Sequence, residues 1–316
     1  MADKDYPLKL DKDYYVVSAN DLIKGKQKMT LREAQLLFIA ISQVVYEDKD
    51  FKTYTTTVPE LAAFMGIDEN SLYRDLKGIC KSLLQRVVEI QVGGENAKGR
   101  KKWEIFQWVN SAKYDNGKLT IRLSDDIKPY LLDLEKYYSQ TLLGTLMTFR
   151  SYYATRLYQY LVAETNAHWG TVEEWTFTCE QLRDLFQVGE KKYAQPRDLL
   201  KKTIKPALAE LGESDYAYVW DYVEHRATTR GRPLESVSFK AILFENDKNR
   251  TAAEKKRFFV EKAKAHVEKL KGTNMDEFGS AAIANGKPQE PNGADEEYEQ
   301  IAFAGCEGMA EPTDKE

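Results

Sequence analysis

The residue types that most often carry enzyme chemistry are few and scattered in this sequence. The three histidines, His168, His225 and His266, lie 57 and 41 residues apart, so none belongs to an HExxH or HxH metal-binding pair. The chain has no GxxxxGK[ST] loop for ATP and no GxSxG nucleophile elbow. Its 19 tyrosines fall mostly at helical spacing, as core or interface aromatics do. We therefore predict no catalytic residue, no metal site, no cofactor and no enzymatic activity.

Positive charge is instead concentrated in one segment. Residues 191–205, KKYAQPRDLLKKTIK, carry six basic residues and one aspartate, and Pro196 suits the first turn of a helix. Such a helix fits the major groove of DNA, where its first side chains reach base edges and its lysines reach phosphates. An ordinary solvated face is the alternative for its last three lysines. The predicted recognition helix would contact DNA through Lys191, Lys192, Tyr193, Gln195, Arg197, Lys201, Lys202 and Lys205.

Two hairpins carry the remaining clustered charge. The second, YAYVWDYVEHRATTRGRPLESVSFKAI, has three arginines towards its tip, which would contact DNA as a wing: Arg226, Arg230 and Arg232. The first copy of the same unit offers weaker, accessory DNA contacts from a helix and a hairpin tip: Arg74, Lys77, Lys81, Lys98, Arg100, Lys101 and Lys102. Because the strands VVEIQV and WEIFQWV beside that tip are apolar and aromatic, self-association is the competing use of this first hairpin.

The elements that would position these residues occur twice. Thr30 and Glu33 form a capping box at the start of an apolar helix, and a strand, two helices and hairpins follow. TLREAQLLFIAISQVVYE is matched about 120 residues later by TFRSYYATRLYQYLVAET, and three further segments match in the same order. Helix, strand, helix, helix and hairpin is the winged-helix order. We predict an α+β fold of two tandem winged-helix domains related by an internal repeat.

The predicted organisation has five parts. They are a flexible leader (residues 1–13), an N-terminal winged-helix domain for dimerisation and accessory DNA contact (14–135), a C-terminal winged-helix domain for sequence-specific DNA binding (136–248), a basic amphipathic helix (249–272) and a disordered acidic tail (273–316). The basic helix has a thin apolar line at Phe259, Ala263, Val267 and Leu270, which would dock on the protein itself or, alternatively, serve a partner or the DNA backbone.

The net charge of −4 conceals this division. The tail from Thr273 carries 11 acidic and 2 basic residues, a net of −9, so the other 272 residues carry 44 basic and 39 acidic residues, a net of +5. No apolar run is long enough to cross a bilayer, and the N-terminus lacks a signal-peptide layout. Three scattered cysteines exclude a disulfide framework. These observations predict a cytoplasmic protein without membrane contact.

The sequence resembles the Rep initiator proteins of iteron-containing bacterial plasmids. The resemblance runs from about Tyr14 to Leu243, and its most specific stretches are KPYLLDLEKYYSQ and SYYATRLYQYL. Further matching stretches are MTLREAQLLFIAISQV, LYRDLKGICKSLLQRVVEI and YAQPRDLLKKTIKPALAELGE. The basic helix and the acidic tail lie outside it.

The resemblance implies a non-enzymatic plasmid replication initiator. It implies that monomers bind directly repeated origin sequences (iterons) in double-stranded DNA and open the origin, and that dimers repress the initiator's own promoter, which contributes to copy control. It also implies recruitment of the host initiator and the replicative helicase. The alternatives are a dimeric winged-helix repressor without initiator activity, a tyrosine-dependent nicking initiator, which would need the metal ligands that are not grouped here, and a scaffold that binds acidic proteins.

Overall fold

The computed structural model describes residues 5–92, 102–165, 172–229 and 231–244. Several residues of the sequence predictions lie outside the described residues: Lys98, Arg100, Lys101, Arg230 and the segments 249–272 and 273–316. Contacts divide the chain into two compact units. The first comprises Met1–Ala167 with Glu180–Ala207, and the second His168–Cys179 with Leu208–Glu316.

Nine α-helices occur among the described residues. They are α1 (Asn20–Lys24), α2 (Leu31–Ile41), α3 (Val58–Met65), α4 (Glu69–Leu83), α5 (Leu143–Thr148), α6 (Tyr152–Thr165), α7 (Cys179–Phe186), α8 (Pro196–Lys202) and α9 (Ile204–Glu213), with a short 3₁₀ helix at Asp125–Tyr130. The predicted capping box is present, since Thr30 accepts from the backbone N–H of Glu33 and Glu33 accepts from that of Thr30 at 2.8 Å. A second box, at Thr57 and Glu60, begins α3.

Twelve strands connect these helices in the described part of the chain. They are β1 (Asp5–Pro7), β2 (Tyr15–Ala19), β3 (Lys26–Gln27), β4 (Thr53–Thr57), β5 (Val87–Val92), β6 (Lys102–Gln107), β7 (Val109–Asp115), β8 (Lys118–Leu123), β9 (Tyr138–Leu142), β10 (Glu173–Thr178), β11 (Ala217–Arg226) and β12 (Leu234–Leu243). They form four sheets, in the orders β1-β4-β8-β7, β3-β5-β6, β2-β9 and β10-β12-β11.

The internal repeat is visible in the element order and in the sheet topology. The series α2-β4-α3-α4-β7-β8 recurs as α6-β10-α7-α8-β11-β12. In each series the strand after the first helix pairs with the last strand of a hairpin, so that β4-β8-β7 corresponds to β10-β12-β11. The prediction of an α+β fold with two winged-helix units is confirmed.

The topology corrects the position of the first wing. We expected the hairpin with the basic tip at residues 98–102 to match the second wing, but its strands β5 and β6 pair with β3 in a separate sheet. The topological counterpart of β11-β12 is the β7-β8 hairpin. Its turn has Asn116 at φ 45° and Gly117 at φ 79°, the conformation that a two-residue hairpin of type I′ requires. The β5-β6 hairpin is therefore an insertion between α4 and the wing.

The core of the first compact unit contains two charged side chains with defined hydrogen-bond partners. The Glu33 carboxylate accepts two hydrogen bonds from Arg86, at 2.8 and 3.0 Å. Arg156 of α6 is buried, and its guanidinium donates to the backbone oxygens of Ile23, Gly25 and Leu185. Backbone oxygens thus compensate part of the cost of burying the Arg156 charge.

Candidate nucleic-acid interface

The basic segment 191–205 is divided between three structural elements. Lys191, Lys192 and Tyr193 lie in a turn, Gln195 is the N-cap residue of α8, and Pro196 is its first residue. The start at Pro196 agrees with the sequence, since proline lacks the N–H that a first helical residue leaves unpaired anyway. The single helix expected through residue 205 is wrong, because α8 ends at Lys202 and Lys205 belongs to α9.

A buried threonine marks the point where α8 ends. The Thr203 hydroxyl donates to the backbone oxygen of Leu199 at 2.6 Å, and its backbone leaves the helical region, with φ −127° and ψ −82°. Leu199 and Leu200 are buried and fix the inner side of α8. The exposed side therefore consists of Arg197, Asp198, Lys201 and Lys202.

The cations on the exposed side of α8 have no competing partner among the described residues. Arg197, Lys201 and Lys202 are exposed, and the structure shows no hydrogen bond or ion pair for any of them. An exposed guanidinium without a carboxylate partner keeps all its donors for a ligand. These three residues can therefore bind an anionic partner without first breaking an internal interaction.

A residue that the sequence analysis did not single out holds the turn before α8. Arg183 of α7 donates three hydrogen bonds, to the backbone oxygens of Gly189 at 3.2 Å, of Lys192 at 3.0 Å and of Tyr193 at 2.7 Å. Tyr193 has the left-handed φ of 52°, which is strained for a residue with a side chain. The Lys192 ammonium lies 5.0 Å from the centroid of the Tyr193 ring. Since Arg183 recognises backbone atoms, its role leaves no pattern in the sequence.

The second hairpin carries its arginines in different environments. Arg226, at the end of β11, forms an ion pair with Glu224 at 2.7 Å, whereas Arg232 is exposed in the tip with φ 41°. The Ala227 N–H donates to the backbone oxygen of Pro233 at 2.9 Å and closes the tip. Arg230 lies outside the described residues. Of the two arginines described here, Arg232 is the one without an internal charge partner.

In the first copy, the predicted accessory residues are partly neutralised. Arg74 donates two hydrogen bonds to Asp75, at 2.9 and 3.1 Å, and these lower the pKa of the Asp75 carboxyl. Lys102 forms an ion pair with Glu104 at 3.2 Å. Lys77 and Lys81 are exposed on α4, and no ion pair is seen for either within the described ranges. These two lysines are the most available cations of the predicted first-copy set that the structure describes.

The β5-β6 hairpin presents apolar side chains to solvent. The exposed fraction is 61% for Trp103, 48% for Ile105 and 42% for Val87. Exposed aromatic and branched aliphatic side chains on adjacent strands are typical of an association surface. This observation favours the alternative that the first hairpin serves self-association.

No group of three or more histidine, cysteine or acidic residues among the described residues could hold a metal ion. Of the helices described, none is long and apolar enough to span a membrane.

Comparison with known proteins identifies relatives of both copies. Residues 15–162 match the family model described as initiator replication protein, WH1, and residues 178–241 match the model described as initiator Rep protein, WH2. A replication initiation protein from Escherichia coli is 28% identical over 236 residues, which cover 72% of this chain and 69% of that protein. The crystal structure of Pi initiator protein in complex with iteron DNA has a TM-score of 0.58 at 18% identity, and the match covers 75% of this chain and 100% of that chain.

Proposed function

This chain belongs to the initiator replication protein family, and from that membership we propose that it is a plasmid replication initiator that binds directly repeated origin DNA. The observation that best supports this function is that both winged-helix models of the family match, over residues 15–162 and 178–241. The E. coli relative carries the name replication initiation protein, and the solved structural relative was crystallised with iteron DNA.

In the proposed complex, α8 reads the base sequence. Arg197 lies in the first turn of α8 and has no partner among the described residues, so its guanidinium is free for a bidentate contact to guanine. Lys201 and Lys202 follow on the same exposed side and would contact phosphates. Tyr193 and Gln195 precede the helix and complete the predicted base contacts, while Lys191 and Lys192 lie in the turn beside them. Lys205, on α9, is assigned a phosphate contact.

The second hairpin would contribute charge rather than sequence recognition. Arg226, Arg230 and Arg232 are proposed to contact phosphates, with Arg232 the most available of those described. Each phosphate that a basic residue neutralises releases counterions, so binding weakens as salt rises, with a log–log slope of about −0.9 per contact. The accessory contacts of the first copy, at Lys77 and Lys81 above all, would add to this salt dependence.

The first copy is also the proposed site of self-association, through the exposed apolar side chains of β5 and β6. A monomer–dimer equilibrium at this surface would let monomers bind the repeats and dimers repress the protein's own promoter. The host initiator and the replicative helicase are the further partners proposed from the family. Catalysis by the chain itself is not required for any of these steps, and the proposed location is the cytoplasm.

Substitution of Arg197 with alanine tests the base-reading assignment. We expect a loss of about 1 to 3 kcal/mol in binding to a duplex carrying the origin repeats, with specificity relaxed at one base pair. Fluorescence anisotropy with a library of single-base variants measures both effects. Arg232→Ala is the matched control, because it removes an equal charge. It should weaken binding to all sequences alike and reduce the log–log salt slope by about 0.9. Unchanged discrimination by Arg197→Ala would refute the role assigned to α8.

Initiator activity needs a separate test, since a repressor would also bind the repeats. We expect the gene and its adjacent repeats to maintain a plasmid that has no other origin, and a stop codon in the gene to abolish maintenance. Binding without plasmid maintenance would identify a repressor instead.

A further inference from the structure

The sheet β10-β12-β11 in the second compact unit has two different faces. Phe177 of β10 and Phe239 of β12 stack with ring centroids 6.1 Å apart on the inner face. Because side chains alternate along a strand, Lys240 and Ile242 of β12 point to the opposite, outer face, and Phe244, directly after β12, belongs to the same cluster as Ile242. The outer face therefore receives the last side chains of the described chain.

The outer face carries an apolar cluster at one end. Ile242 and Phe244 are each only 1% exposed, and the partly buried side chains of Val172, Tyr218 and Trp220 pack against them. The rings of Tyr218 and Trp220 stack, with centroids 5.2 Å apart. The indole N–H of Trp220 is buried and has no acceptor among the described residues. A buried apolar cluster with an unused donor, on the outside of a sheet, indicates that another segment belongs on this face.

Charged groups surround the cluster with a small acidic excess. Glu174 of β10 is exposed and lies opposite Lys240 in the strand register. The Lys240 ammonium forms an ion pair with Asp221 at 3.0 Å. These three outer-face groups carry a net charge of −1, which favours a basic partner over an acidic one.

We propose that residues 249–272 of this chain form a helix that docks across this outer face. The chain itself supplies the occupant, because its last described residue, Phe244, is part of the cluster. Four residues, 245–248, separate Phe244 from the segment, and a chain of that length can reach about 15 Å. The segment is therefore held beside the cluster at a high effective concentration.

The sequence of the segment fits the face in pattern, length and charge. Phe259, Ala263, Val267 and Leu270 form one apolar line at helical spacing. A helix over residues 251–271 would be about 32 Å long, close to the roughly 33 Å of the ten-residue strands β11 and β12. The segment 251–271 carries seven basic and three acidic residues, opposite in sign to the outer face. Docking would attach the net positive charge of the segment to the second compact unit.

Protection of the segment in the full-length protein tests this proposal. We expect amide hydrogens of residues 251–271 to exchange about tenfold more slowly than in a synthetic peptide of residues 249–272. Val267→Asp introduces a charge into the apolar line and should remove that protection. Ala265→Asp is the matched control, since it adds the same charge two residues away on the opposite side of the helix, and it should retain protection.

A substitution on the sheet provides an independent arm. Trp220→Asp should expose the segment in the same way while leaving α2 and α4 of the other compact unit protected. Exchange of the wild-type segment at the peptide rate would overturn the proposal, as would equal exchange in Val267→Asp and Ala265→Asp. Protection that rises with protein concentration, together with loss of a sedimenting dimer in Val267→Asp, would assign the face to a second copy and overturn docking within one chain. These outcomes do not depend on DNA binding.

Discussion

At the scale of single residues, the useful distinction among the basic side chains is whether each already has a partner. Arg74 and Arg226 lie beside carboxylates of their own elements, whereas Arg197 and Lys202 are exposed without one in the described structure. A paired guanidinium must give up part of an existing interaction before it contacts phosphate. In the proposed complex, α8 therefore offers cations that need not give up an internal ion pair before they contact DNA.

Arg183 provides the prediction at this scale. Its planar guanidinium holds three backbone oxygens of the turn before α8, and a lysine ammonium cannot reproduce that fork. We expect Arg183→Lys, which preserves charge, to weaken binding to the origin repeats about tenfold, equivalent to 1.4 kcal/mol. Binding to random duplex should change less than twofold, because it depends on charge, which the substitution preserves.

Parallel anisotropy titrations of the two duplexes measure this difference. Lys49→Arg is a suitable control, since it exchanges the same two residue types at an exposed position outside the proposed DNA-binding set. Equal losses on both duplexes would contradict a positioning role for Arg183 and indicate general destabilisation.

At the scale of elements, an ion pair between residues far apart in sequence joins two helices of the first winged-helix unit. Burial by itself would raise the pKa of the Glu33 carboxyl, but hydrogen bonds from Arg86, Ser82 and the Thr30 backbone outweigh it and lower that pKa. Glu33 lies in the first turn of α2 and Arg86 follows α4, so the pair joins the two helices. A carboxyl whose pKa is lowered on folding stabilises the fold above its unfolded pKa, and this stabilisation is lost as pH falls through the folded pKa.

Substitution of Arg86 with alanine would leave the buried Glu33 carboxylate without its ion-pair partner. We expect a loss of about 2 to 3 kcal/mol in the free energy of unfolding at pH 7, below the roughly 3 to 5 kcal/mol of a fully buried pair, because Arg86 is partly exposed. The loss should shrink as pH falls through the lowered pKa of the Glu33 carboxyl in the folded protein, because the protonated carboxyl no longer needs the charge of Arg86.

Urea unfolding at a series of pH values measures this loss. Lys77→Ala, an exposed residue on α4, should change stability by less than about 0.5 kcal/mol at every pH. A loss in Arg86→Ala that does not vary between pH 7 and pH 3 would contradict the assignment to Glu33.

At the scale of the whole molecule, charge is distributed unevenly along the chain. The 272 residues up to Gly272 have a net charge of +5, and the tail from Thr273 has −9. An acidic segment tethered to a basic body competes with DNA phosphates for the same cations. We therefore expect the net charge of −4 for the whole chain to understate the affinity of residues 1–272 for DNA.

Deletion of residues 273–316 tests this competition. We expect affinity for random duplex at low salt to rise about threefold to tenfold, because nine net negative charges are removed. The difference should vanish at high salt, where the interaction is screened. A tail of equal length with its acidic residues changed to Asn and Gln separates charge from length. Affinity equal to that of the full chain, in either variant, would dismiss the competition.

Local sequence rules determined most of the elements and the fold class. The capping residues Thr30 and Thr57, Pro196 at the start of α8 and the Asn116-Gly117 turn each act through neighbours a few residues away. Hydrophobic periodicity and capping are short-range effects, and they are visible in a single sequence. The repeat of four such segments was enough to predict two winged-helix units.

The tertiary structure alone decided the pairing of strands, the end of α8 and the partners of the charged residues. The choice of β7-β8 rather than β5-β6 as the first wing depends on whether a hairpin pairs with β4 or with β3, strands distant in sequence. The end of α8 at Thr203 and the fork of Arg183 depend on backbone conformation and backbone oxygens, which every residue possesses. Contacts between residues far apart, and contacts to the main chain, leave no spacing or composition signal, so only the folded chain reveals them.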